Sequence, residues 1–173
     1  LPGVIGTIQA TETLKLLAGI VDIYMPDIKY ADDDQAHKYS GVDDYWKVVR
    51  SALKEMHRQV GDLVIEKGIA TRGLLIRHLV LPNKISGSKR CFEFIGHELS
   101  KNTAVNVMAQ YYPTFKARQY AGINRRITMN EYREALKDLQ ANGLDAGFRQ
   151  TIDTIFREVV PEWTDDLKGT AEP

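Results

Sequence analysis

The feature that most constrains this chain is the run Leu74 to Leu81 (LLIRHLVL), apolar throughout except for the adjacent Arg77 and His78. A short, nearly continuous apolar run bounded by Gly73 and Pro82 suits a strand of a parallel sheet covered on both faces. Successive side chains of a strand point to opposite faces, so Arg77 and His78 occupy different environments, one toward the interior and the other toward the helices. A buried guanidinium needs a partner, which singles out Arg77. The ordinary reading of His78 is a core histidine with one hydrogen bond.

Other apolar runs alternate with helical periodicities, the pattern of βα units and a parallel sheet. Strand candidates are Gly3 to Ile8, which two glycines weaken, Val21 to Ile28, which Pro26 interrupts, and Val105 to Tyr111 (VNVMAQY). Val42, Trp46, Val49, Leu53, Met56 and Val60 recur at spacings of four and three and paint one helix face, with Gly61 as a stop. Ser88 precedes a shorter helix with Phe92, Ile95 and Leu99 on one side. Thr128 and Glu131 form a capping box for a helix that turns Tyr132, Leu136 and Leu139 inward and stops at Asn142-Gly143. Leu63 to Gly73 reads as a hairpin-like insertion turning at Lys67-Gly68, and the tail from Pro161 reads as frayed. The expected division is residues 1–145 as the α/β domain and 146–173 as a helical or frayed extension.

The 173 residues carry equal numbers of basic and acidic side chains, so no overall field steers the chain toward nucleic acid or anionic lipid. No apolar run is long enough to span a bilayer, and no secretory leader pattern opens the sequence. Cys91 is the single cysteine, which excludes an internal disulfide and any cysteine-rich metal site within one chain. A cytoplasmic setting follows as the simplest expectation. The start at Leu1-Pro2-Gly3, without methionine, suggests a piece of something larger.

Ligands of parallel βα folds bind at the C-terminal ends of the strands. There, Asp27 and Lys29 fall on one face of the second candidate strand, a carboxylate beside an ammonium. They suit a ligand carrying hydroxyls, or an amine and a carboxylate. The plainer reading is a local ion pair. Gln110, Tyr111, Tyr112 and Pro113 end the fourth strand with polar tips on apolar bodies, suited to clasping a nucleoside or to packing. Asp32-Asp33-Asp34 lacks the spacing of a calcium loop and reads as a turn leading into a helix. Lys116, Arg118, Arg125 and Arg126 make the most basic stretch, but zero net charge argues against nucleic-acid binding. The scattered histidines give no metal-ligand spacing. Cys91 is expected to be buried as a small hydrophobe.

Taken together, VDIYMPDIKYADD, AHKYSGVDDYW, EMHRQVGDLVIEKGIATRGLLIRHLVLPN, NVMAQYYP and INRRIT resemble the later portion of radical S-adenosylmethionine (SAM) proteins related to the pyruvate formate-lyase activating enzyme. The likeness runs from about Thr13 to Leu144 in order. It implies the C-terminal part of a partial (β/α) TIM-like barrel, with parallel strands and flanking helices. In the whole protein a 4Fe-4S cluster would reduce SAM to methionine and a 5′-deoxyadenosyl radical, which abstracts hydrogen from a substrate. In the activating enzymes that substrate is a glycine of a partner protein. Residues implied in SAM binding are Asp27 and Lys29, matching the family's Asp-x-Lys pair, Arg77 in its RHLVLP strand, and Gln110 and Tyr111 near the nucleoside.

The departures concern the cluster. The family's cysteine motif, C-x3-C-x2-C, is absent, and Cys91 cannot substitute, because the cluster needs a full set of thiolates beside its open iron. The glycine-rich segment that holds the methionine amino group is also missing. The expectation is therefore a fragment of a radical SAM oxidoreductase, inactive as it stands, with no catalytic residue and no metal ligand assigned. The alternative is a non-catalytic α/β module with residual nucleotide or SAM affinity. A third class, an α/β enzyme acting on a phosphorylated metabolite, finds no glycine-rich phosphate loop. A half barrel would leave an unpaired edge where the missing N-terminal half should dock, which invites association of the isolated chain.

Overall fold

The structure is a computed structural model that describes residues 13–149. The strand expected over Gly3 to Ile8 and the tail from Pro161 lie outside the described residues. In chain order the elements are β1 (Ile23–Tyr24), β2 (Asp27–Ile28), α1 (Asp33–Ser40), α2 (Tyr45–Val60), β3 (Val64–Glu66), β4 (Ile69–Leu79), α3 (Ser88–Phe94), β5 (Ala104–Met108) and α4 (Met129–Ala141). Short 3-10 turns cover Pro82–Lys84 and Phe115–Gln119, and a π turn over Ile95–Leu99 prolongs α3.

β4 is the axis of the sheet. On one side it pairs in parallel with β1 and β2, Ile23 opposite Gly73 and Asp27 opposite Arg77. The constant offset shows that β1 and β2 are one strand line, interrupted at Met25-Pro26. Proline has no N–H to give to a ladder, so pairing lapses there and resumes when the Arg77 N–H donates to the Pro26 carbonyl. On the other side β5 pairs in parallel with β4, from Leu75 opposite Ala104 to Leu79 opposite Met108. Beyond β5, the stretch 146–149 runs parallel to it, with Val105 N–H donating to Ala146 O and Phe148 N–H to Val105 O. The strands thus neighbour one another in the order in which the chain makes them.

The fold is α/β, with a mostly parallel open sheet and flanking helices, and the sheet is not closed into a barrel. α2 packs on β4 and β1, its N-terminal turn meets α3 through the edge-on rings of Trp46 and Phe94, and α3 packs on α4. Leu74, Ile76 and His78 of β4, Val80 just after it, and Val105 and Val107 of β5 are buried beneath these helices. The opposite face carries Leu75, Arg77, Leu79, Asn106 and Met108, all only partly buried. Strands covered on both faces were expected from their apolar character; among the described residues only the helix side is covered.

Helix boundaries follow local chemistry. Asp32 caps α1 by accepting from the Gln35 N–H, so the acidic run opens a helix as its spacing suggests. α2 begins at Tyr45, after Val42, because Asp44 is left-handed and makes no side-chain cap. Asp33 replaces that cap from α1, its Oδ1 accepting from the Trp46 N–H at 2.7 Å. The capping box of Thr128 and Glu131 is present, and Tyr132, Ala135 and Leu139 are buried along α4. The insertion is a hairpin: β3 runs antiparallel to the start of β4, and Lys67 and Gly68, both at positive φ, make its two-residue turn. β4 therefore starts at Ile69 rather than Leu74.

Gly73 marks where β4 leaves the hairpin and enters the parallel sheet. Its φ is 119°, and a Cβ there would collide with the Asp62 carbonyl oxygen and the Leu63 Cα. Gly73→Ala is expected to lower the unfolding free energy by about 2 kcal/mol or more. Gly68→Ala, at a turn with open space around it, should cost about 1 kcal/mol. Urea denaturation of both variants checks the order; equal losses would refute the collision.

Candidate binding site at the strand ends

Three of the singled-out residues meet on the uncovered face at the C-terminal end of β2. Arg77 Nε donates to Asp27 Oδ1 at 2.7 Å, and Lys29 Nζ lies 3.2 Å from Asp27 Oδ2. The register makes the first contact, since Asp27 and Arg77 are direct partners across the parallel ladder. The strand alternation makes the second. All three side chains keep access to solvent, with 28% of Asp27, 37% of Arg77 and 48% of Lys29 exposed. Arg77 is therefore paired, as a strand-borne guanidinium must be, although it is not fully buried.

A tyrosine from α2 holds this strand end in place. The Lys29 N–H, one residue beyond β2, donates to the Tyr45 hydroxyl at 2.8 Å, and burial pushes that hydroxyl's pKa up to about 12. Asn106 stands opposite Arg77 on β5 and continues the polar row across the sheet. The sequence reading missed Tyr45 and Asn106. Strand alternation could have found Asn106, two residues after the buried Ala104; nothing local to Tyr45 announces its reach to Lys29.

Gln110 and Tyr111 separate. Gln110 is exposed and on the same parity of β5 as Asn106 and Met108. Tyr111 turns into the long loop after β5, where its hydroxyl donates to the Ile123 carbonyl at 2.7 Å and burial raises its pKa. It packs between the main core and a second apolar cluster of Tyr30, Ala36, Leu81, Ile85 and Ile123. That second cluster is a roof over the strand ends, made by the loops that follow β2, β4 and β5.

His78 faces the helices. The Ile28 carbonyl can only accept, so the Nδ1 facing it at 3.0 Å carries the proton, and Nε2 accepts from the Ser88 hydroxyl at 2.9 Å. The imidazole is fully buried and tied to two neighbours, one more than a plain core reading asks. Phe92 packs edge-on against it, and Cys91 of the same helix is buried with its thiol donating to the Ser86 carbonyl, so that burial pushes the thiol's pKa up.

An uncharacterized protein of Methanocaldococcus jannaschii is 35% identical to this chain over 135 residues. The match takes in 78% of the chain and 36% of that protein, so the chain spans about a third of the relative's length. No family profile matches the chain, and no solved structure does.

Burial lowers the His78 pKa from 6.5 to about 4 in the folded state. The folded protein then binds fewer protons than the unfolded one between these values, so stability is full above about pH 6.5 and falls as the pH drops toward 4. The carboxylates with pKa held near 2, Glu55 and Glu131, begin to matter only below their ordinary value of 4.5. Loss of stability between pH 6.5 and 4.5 should accordingly belong to His78 and reach roughly 2 kcal/mol. His78→Gln should flatten that limb in pH-dependent urea melts; an unchanged slope would move the titration elsewhere.

Proposed function

We propose that this chain is the later portion of a radical SAM protein related to the pyruvate formate-lyase activating enzyme, and that SAM binds on the uncovered face of the sheet. The observation that carries the reading is the junction of Asp27, Lys29 and Arg77 at the strand ends. A carboxylate there can accept from vicinal ribose hydroxyls, and the two cations can hold a carboxylate. Exposed ion pairs contribute about 1 kcal/mol or less, so a ligand can exchange for them at little cost. The strand order supports a barrel-like winding, because neighbours follow chain order and no reversal creates a crevice within the sheet. The edge of β1 and β2 away from β4 has no strand partner among the described residues and suits the docking of a preceding barrel half.

SAM would supply a 5′-deoxyadenosyl radical once reductively cleaved. The chain's own residues fit the polar edge of SAM, but they do not fit the 4Fe-4S cluster. Its single cysteine is buried, bonded to a backbone carbonyl and held protonated by its surroundings. No step is therefore routed through a cluster on this chain, and a partner glycine as hydrogen donor belongs to the longer protein. The lone cysteine equally favours a second reading, a non-catalytic module that retains nucleotide affinity.

Equilibrium dialysis with radiolabelled SAM tests the site. Asp27→Ala is expected to weaken binding about tenfold or more while lowering stability by about 1 kcal/mol or less, and Lys29→Ala should weaken binding likewise. Unchanged affinity in Asp27→Ala would remove this face from SAM binding. Formation of 5′-deoxyadenosine by the chain alone, supplied with iron, sulfide and reductant, would overturn the assignment of the cluster to another segment.

A further inference from the structure

The loop between β5 and α4 presents a second surface, centred on Phe115 and separate from the Asp27, Lys29 and Arg77 junction. From Ala109 to Thr128 it contains no acidic residue and four basic ones, although the whole chain carries equal numbers of basic and acidic side chains. Arg125 is neutralised by Glu131, with guanidinium-to-carboxylate distances of 2.8 and 2.9 Å. Lys116, Arg118 and Arg126 have no carboxylate within ion-pair distance among the described residues. They lie instead against aromatic or backbone groups: Lys116 5.7 Å from the Phe115 ring centroid, Arg126 5.0 Å from that of Tyr112, and Arg118 Nε donating to the Pro113 carbonyl.

Phe115 is 86% exposed and sits at φ 47°, a conformation that bulky residues rarely adopt. The cause is visible on both sides of it. Pro113 is buried and Ala117 packs on the roof cluster, so the short turn between them has its ends anchored and its middle residue forced outward. An exposed aromatic with Lys116 against it, and with Arg118 and Arg126 on the same loop, has the composition of an interface hot spot, and a backbone anchored at both ends needs little ordering on binding.

The geometry points to docking of an acidic polypeptide segment on this turn, with an apolar side chain against Phe115 and carboxylates against Lys116, Arg118 and Arg126. A short acidic segment suits the surface better than a nucleic acid. α1, which meets the loop through the edge-on rings of Tyr39 and Tyr120, opens with Asp32, Asp33 and Asp34, and α4 carries Glu134 and Asp138. These flanks would repel a long, evenly charged phosphate backbone but leave room for a few carboxylates.

The test uses the full 173-residue chain and a fluorescent random copolymer of glutamate and tyrosine, read by anisotropy at low and moderate salt. The copolymer should bind, and Lys116→Glu with Arg118→Glu should weaken it about tenfold or more. Phe115→Ala should weaken it several-fold, with melting temperatures unchanged because these side chains are exposed. Lys47→Glu with Lys137→Glu, an equal charge change on α2 and α4, should bind as the parent does. Absence of copolymer binding, or equal loss in the control variant, would overturn the proposal. Tighter binding of oligo(dT), abolished by the same loop substitutions, would overturn it in favour of a nucleic-acid surface.

Discussion

The rest of the structure depends on β4 being hydrogen-bonded along both edges. β1 and β2 hold one edge and β5 the other, so the strand can neither slide nor rotate, and every side chain on it is committed to one face. On the helix side this puts Leu74, Ile76 and His78 into the main core. On the other side it sets Arg77 between Asp27 and Asn106. A slip of one residue would bury the guanidinium and expose the imidazole, so the polar row and the apolar core are two results of a single register.

His78 converts that register into tertiary structure. It joins the β2 backbone to Ser88 at the start of α3, and Ser88 in turn lies 3.2 Å from Ser86, hydroxyl to hydroxyl. The loop after β4 is bound from its other end by Glu131, which accepts from the Asn83 N–H at 2.6 Å, from Thr128 and from Arg125. The Arg125 guanidinium beside it holds that carboxyl down to about 2. Inner and outer fastenings together keep the roof loops in one position above the strand ends, although none of those loops contains a long regular element.

Much of this was legible in the sequence, and the failures have local causes. The α2 face was readable because Trp46, Leu53 and Val60 bury at helical spacing. The Thr128 capping box and the Lys67-Gly68 turn were readable because each is complete within a few residues. The Asp27–Lys29 pair followed from strand alternation alone. Arg77 as the third member needed the cross-strand register, which no local pattern contains. The β4 start was misplaced because Ile69–Arg72 is exposed throughout: it is a hairpin arm in solvent, its strand pairing made with β3. Tyr111 was grouped with Gln110, yet neighbouring side chains diverge at the strand end, and the roof cluster claims the tyrosine ring.

The ladder offset between Asp27 and Arg77 spans fifty positions, including two helices and a hairpin, and the pair meets through backbone bonding of the strands that bear it. The distance travelled by the chain in between has no part in aligning the charges. Closure of a longer or shorter excursion changes the free energy only logarithmically. A longer or shorter α1–α2 connection or hairpin would therefore leave the charged row in place, because the row is aligned by the ladder and not by the length of chain between its members.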